Sequence, residues 1–385
     1  MKVDILIKNG TTVDLANQDF VKNDIGIIGD RIVDIEGEAV DAETVIDAEN
    51  CFVLPGLIDY HLHAFHDGTA ISVNADVICL PNGVTSVVDA GSSGWVNFPA
   101  FKKHVITQSL VKIKSYLNMV NVGLSTLGGG PTGYLENINP ANFNLDKIKA
   151  TVQANDNILG LKLRYSKDLC KNKGFSTDPF DETVKLAREL NTNFCVHVTD
   201  STKPLYELVS DFDKGDVLAH CFHGVGHTIL DEDNKVYPQI KAAQERGVVF
   251  DCSNGVAHFD FKVAQAALDD GFYPDIISTD LTLKNSLRTD KVFSLLFVMS
   301  KYINMGMPLF DIIKAVTTTP ANLMGMDGQI GVLSPGAFAD VAIVKMKKKK
   351  ITFSDTSGNE LQGDCYLDNL ATICNGNIVY RKIHF

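Results

Sequence analysis

At 385 residues and 45% hydrophobic content, the chain can bury one large core and still carry a smaller accessory unit, which excludes a disulfide-stapled miniprotein and a disordered tail. Its 47 acidic against 35 basic residues give a net charge of -12, so the surface repels nucleic acid and anionic lipid, and a small molecule is the expected partner. Eight cysteines with no C-x-x-C pair, a start (MKVDILIKNG) too poor in apolar residues for a signal segment, and no membrane-length apolar run point to a soluble cytoplasmic protein.

Residues 3 to 36 alternate apolar and polar positions, with turn residues between the runs, the period-two pattern of short half-buried antiparallel strands. The same texture returns over 337 to 383 in AFADVAIV, KITFSD and NLATICNGNIVYRKI. Two-stranded ribbons are marginal in water, so the two ends are expected to assemble one small β-sandwich domain from residues 1–53 plus 331–385, with residues 54–330 inserted as a second domain. The basic run Lys345 to Lys350 falls between two strand-like pieces and is expected to be a solvated hairpin loop.

Between Val53 and Leu283, eight short apolar runs alternate with longer amphipathic or polar stretches: VLPGLIDYH, TSVVDAG, SYLNMVNVG, ILGLKLR, FCVHV, DVLAHC, VVFDCS and DIISTD. Helices are predicted over residues 180 to 190 and 236 to 247, where apolar residues recur at three and four. Alternation of this kind predicts an α/β fold, a closed (β/α)8 barrel of the TIM type.

In such a barrel the reactive face lies at the C-terminal ends of the strands. His61 and His63 end the first run two residues apart, so both imidazoles face the same way. Lys162 lies in the fourth run, His197 and His220 late in the fifth and sixth, and Asp280 at the end of the eighth. Singly, each has an ordinary reading as a core histidine, a strand-end cap or a chance pair. Their shared position along separate strands favours one metal site. Imidazoles with a carboxylate suit Zn2+, and also Mn, Fe or Co. A neutral lysine bridges two cations poorly, so a binuclear centre would want Lys162 as N6-carboxylysine. Arg164, Tyr165, His223, Asn254 and His258 follow the same strand ends and are candidates for substrate binding. Cys195, Cys221 and Cys252 sit where small apolar residues belong and are read as core, not as nucleophiles.

The segments LPGLIDYHLH, GLKLR, VHV, AHC, STD and the tail TTTPANLMGMDGQIGVLSPGAFADVAIV together resemble the amidohydrolase superfamily of dihydroorotases, dihydropyrimidinases and deacetylases, over essentially the whole chain. The resemblance implies a metal-dependent, homo-oligomeric hydrolase with two divalent metal ions. His61 and His63 would hold the more buried ion, His197 and His220 the more exposed one, and carboxylated Lys162 would bridge them. Asp280 would ligate the first ion and act as the catalytic proton carrier for a metal-bridging hydroxide, since coordination lowers the pKa of water to near 7. GLKLRYS and AHCFHG look most like a subgroup labelled dihydroorotase or adenine deaminase, whose characterised members are deacetylases of acetylated small hydroxy acids. The H-x-H-x-R pattern of dihydroorotases is broken here, where His61-Leu62-His63-Ala64-Phe65 lacks the arginine that grips a substrate carboxylate; Arg164 is the alternative anion binder. The expected reaction is ester or amide hydrolysis of a small carboxylated substrate, namely deacetylation of an acetylated hydroxy acid or N-acetyl amino acid. The alternatives are a cyclic amidohydrolase, a purine deaminase, or a metal-free scaffold relative; the last is disfavoured because every ligand is present.

Overall fold

The computed structural model describes residues 1–15, 17–128, 135–170, 174–288 and 290–385. Seven parallel strands stand side by side in chain order: Leu57–Leu62, Val84–Asp89, Lys112–Asn118, Ile158–Arg164, Asn193–His197, Val217–Ala219 and Val249–Asp251. The eighth position is an irregular run rather than a strand. It nevertheless pairs on both sides, through parallel bridges of Ile276 with Asp251 and of Leu281 with Leu62, and so closes the barrel. Its backbone groups are satisfied across those seams: Cys252 N–H donates to Ile276 O at 3.0 Å and His63 N–H to Leu281 O at 3.1 Å.

Strands buried on both faces read as continuous apolar runs, and the first two are buried at every position. Ile58, Tyr60, Val88, Tyr116, Cys195, Val217, Val249 and Ile276 form one buried cluster that fills the barrel from within, and the hydroxyls of Tyr60 and Tyr116 hydrogen-bond each other at 2.9 Å. The predicted helices occupy Pro179–Glu189 and Pro238–Glu245. Both begin with proline, whose missing N–H costs nothing at that position, and the first is capped by Asp178, which accepts from Phe180 N–H at 2.8 Å. Among the described residues, no helix is long and apolar enough to cross a membrane.

The two chain ends build the second layer. Lys2–Lys8, Ile25–Ile28, Arg31–Val33 and Asp41–Asp47 form a four-stranded sheet, and Thr11–Asp14, Asp19–Lys22, Phe52–Pro55, Val341–Ser354, Glu360–Cys374 and Asn377–Arg381 form a six-stranded one. Ile5, Ile7, Ile27 and Ile46 from the first pack with Val53, Val341, Ile343 and Ile373 from the second in one core, which makes the pair a sandwich.

The basic run departs from expectation. Lys345 to Lys350 is not a loop but part of the 14-residue strand Val341–Ser354, paired with Glu360–Cys374 through a bulge between Lys348 and Ile351. The ribbon turns further on, where Asp355 accepts from Asn359 N–H at 2.7 Å and Gly358 adopts a φ of +84°. Lysine stems suit the exposed flank of such a ribbon, and Lys347 is ion-paired across it to Asp368.

Candidate metal centre

Five barrel segments send polar side chains to one point at the mouth. His61 near the end of its strand and His63 just past it both line the mouth, and the period-two pleat turns Lys162 and Arg164 the same way. Asn193–His197 ends on its histidine, His220 lies just past the end of its strand, and Asp280 lies in the irregular eighth run, one residue before the bridge at Leu281. His220 and Asp280 hold φ values of +64° and +52°, a conformation that costs a non-glycine residue roughly 1–3 kcal/mol and persists where surroundings impose it. Those surroundings are visible. Ser253 Oγ accepts from His220 N–H at 2.7 Å, His61 O accepts from Asp280 N–H at 2.7 Å, and Asn285 Nδ2 donates to Asp280 O at 2.7 Å. Asp59 fixes the preceding residue by accepting from Thr279 N–H at 3.0 Å and from its hydroxyl at 2.6 Å; burial pushes this carboxyl up to about 7 against the pull of those donors.

Four imidazoles are anchored at Nδ1. His61 meets Asp251 Oδ2 at 2.9 Å, His63 meets Ser92 Oγ at 2.9 Å, His220 meets Ser253 O at 2.7 Å, and His258 meets Thr199 Oγ1 at 2.9 Å. A carbonyl only accepts, so His220 carries its proton on Nδ1 and turns the Nε2 lone pair inward; ionised Asp251 imposes the same tautomer on His61. Burial pulls His61, His197 and His220 well below the ordinary histidine value, with Lys162, Arg164 and His258 respectively the next contributors. These are neutral imidazoles at pH 7, the ligand form. Burial pushes the Asp280 carboxyl up, but the hydrogen bond from His63 and the neighbouring imidazoles outweigh it, and the net position is below the usual carboxylate value.

The donors sort into two triads, His61, His63 with Asp280 and His197, His220 with His258, each with its ligand atoms within 4.8 Å of one another. Asp280 Oδ1 lies 3.2 Å from His63 Nε2 and 3.8 Å from His61 Nε2, and the rings of His61 and His220 are 5.2 Å apart. Buried Lys162 lines the same cavity as both triads and donates to Cys195 Sγ at 3.3 Å. Gly91 leaves it room, for a Cβ there would stand 2.6 Å from the lysine Cβ and Cγ. Neutral imidazoles with an ionised carboxylate are a donor set that fits divalent cations.

These groups line a cavity of about 170 Å³, together with Asn118, Arg164, His258 and Asn285 and the apolar Ile71, Leu124 and Leu127. Arg164 is ion-paired through Nη1 to the buried carboxylate of Glu136. Tyr165, His223 and Asn254 do not line the cavity. Tyr165, one residue out of phase with Lys162 and Arg164, points to the other face, donating its hydroxyl to Asp178 at 2.7 Å and packing on Phe180 at 5.5 Å between centroids. His223 and Asn254 are fully buried, and among the described residues His223 Nε2 and both Asn254 amide atoms meet no hydrogen-bond partner. Asp251, Ser92, Ser253, Thr199 and Glu136 serve the site without having been singled out in the sequence. Asp251 was findable, because it ends the seventh apolar run just as the histidines end theirs. Glu136, on an irregular segment, carried no such signal.

The amidohydrolase family pattern matches residues 171–379. A deacetylase of Agrobacterium fabrum is 32% identical over 340 residues, 87% of this chain and 81% of that one. A deacetylase of Enterococcus faecalis is 29% identical over 380 residues, 98% and 99% of the two chains. Among solved structures, an adenine deaminase superposes with a TM-score of 0.87 at 27% identity, covering 99% of this chain and 100% of that one. A dihydroorotase superposes at 0.84 with 28% identity, covering 98% of each.

Proposed function

This chain belongs to the amidohydrolase family, as a metal-dependent hydrolase, and from that premise we propose that it deacetylates a small carboxylated substrate, an acetylated hydroxy acid or an N-acetyl amino acid. The observation that carries the reading is Arg164, whose guanidinium lines the same cavity as the imidazoles while Glu136 holds it through Nη1. A guanidinium has five N–H donors in a rigid fork, and among the described residues Arg164 spends only Nη1 on Glu136, which leaves donors for a substrate carboxylate. The deacetylase relatives support the same class.

We assign His61, His63 and Asp280 to the more buried of two divalent cations, His197 and His220 to the other, and Lys162, as N6-carboxylysine, to both. Zinc is the ion this donor set suits. Bound there, the cations would supply a Lewis acid for the substrate carbonyl and a water acidified towards neutrality. Asp280, ionised and buried at the centre, takes the proton of the attacking water and hands it to the departing alkoxide or amine.

Purine deamination is the second reading, prompted by the adenine deaminase structure. Among the described residues, those lining the cavity include no Phe, Tyr or Trp on which a purine would stack, which favours deacetylation. Zinc-loaded protein should be assayed against O-acetyl 2-hydroxy acids, N-acetyl-D-amino acids, dihydroorotate, hydantoins and adenine. Acetate release is expected; turnover confined to the cyclic amides, or ammonia from adenine, would overturn the assignment.

A further inference from the structure

We propose that His258 is a ligand of the more exposed cation, so that a third imidazole, supplied by the loop after the seventh barrel strand, joins His197 and His220. The proposal rests on the two-cation reading above and adds to it a protein ligand outside the six-residue set.

The first support is position. The ligand nitrogens of His197, His220 and His258 lie within 4.8 Å of one another, and the His258 ring centroid is 4.2 Å from that of His220 and 4.9 Å from that of His197. The second is construction. His258 is mounted as His61, His63 and His220 are, with Nδ1 tied to a wall group, here Thr199 Oγ1 at 2.9 Å. That tie turns Nε2 inward, to 3.9 Å from Asp280 Oδ2, too long for a hydrogen bond. The third is the backbone. Gly255 has a φ of +49°, and a Cβ there would stand 2.9 Å from His258 Cδ2 and 2.8 Å from Asp280 Oδ2. The chain thus omits a side chain where these two approach. With carboxylated Lys162 the three imidazoles make four protein donors, so a substrate would enter as a fifth ligand, a coordination number zinc can reach in catalysis.

The test loads metal-free wild type, His258→Gln and His258→Ala with Co2+. It reads bound equivalents by elemental analysis, the affinity of the second equivalent against a chromophoric chelator, and the visible cobalt spectrum. Both variants should hold the first equivalent as wild type does and bind the second at least about 10-fold more weakly, with altered cobalt bands. If His258→Ala loses the native circular dichroism, His258→Gln, closer in size, decides. Two equivalents with wild-type affinity and an unchanged cobalt spectrum in a folded variant would overturn the proposal. If wild type itself takes up fewer than two equivalents, the two-cation reading fails, and the proposal with it.

Discussion

At the scale of single residues, Asp280 and Arg164 make separable demands. In the proposed mechanism Asp280→Asn keeps an oxygen that can face a cation but removes the proton acceptor, so turnover should fall by at least about 1000-fold while metal content stays near wild type. Elemental analysis beside kcat checks this, and appreciable residual turnover would remove Asp280 from the proton role. Arg164 cannot be tested alone, because Arg164→Met strands the Glu136 carboxylate in a buried site, which typically costs about 3–5 kcal/mol. The double variant Arg164→Met with Glu136→Gln removes both charges. It should raise KM for a carboxylated acetyl ester by about 10- to 100-fold and leave the matching uncharged ester nearly unchanged, since a charge-assisted hydrogen bond contributes about 1.5–3 kcal/mol. Equal losses on both esters would mean that Arg164 shapes the cavity and does not read charge.

At the scale of elements, the turn that opens at Gly255 separates catalytic geometry from stability. Gly255→Ala puts a methyl group against Asp280 and His258 in a left-handed turn, at a cost of about 1 kcal/mol in the backbone, a small change for a chain this size. Activity and second-metal affinity should fall well beyond what a shift of a few degrees in Tm implies; a Tm loss without a metal defect would show the glycine serving the fold alone. This turn also marks where the sequence stops being legible. Nothing local in the sequence says that the loop holding Gly255 brings His258 up against His197 and His220. The regular strands were legible because burial on both faces leaves unbroken apolar runs, and the late-strand rule then found His61, His63, Lys162, His197, His220 and Asp280 together. Tyr165 escaped that rule through its phase, one residue from Arg164 and so on the other face. Lys345 to Lys350 misled for a different reason: charge predicts exposure, and a two-stranded ribbon is exposed without being a loop.

At the scale of the whole molecule, the centre ties stability to pH. Unfolded, a histidine titrates near 6.5. Folded, burial holds His223 and His258 down to about 4, and His61, His197 and His220 well below 6.5. Between about 4 and 6.5 the unfolded chain therefore binds more protons at these five sites, and the metal-free protein loses stability as pH falls through that window. Burial acts oppositely on Asp59, Asp251 and Asp275, whose carboxyls are raised, the first two to about 7 and about 6. There the folded state holds the extra proton, and stability falls as pH rises. Five imidazoles against three carboxyls leave a net slope in favour of higher pH, so Tm of the metal-free protein should be lower at pH 5 than at pH 6.5. Cations bind only the unprotonated donors, and at 100 times their Kd a single ion adds about 2.7 kcal/mol. The Tm difference between zinc-loaded and chelator-treated protein should consequently be largest near pH 7 and shrink towards pH 5. Differential scanning fluorimetry across that range measures it, and a zinc-induced shift equal at both ends would mean that the stabilising ion sits away from these imidazoles.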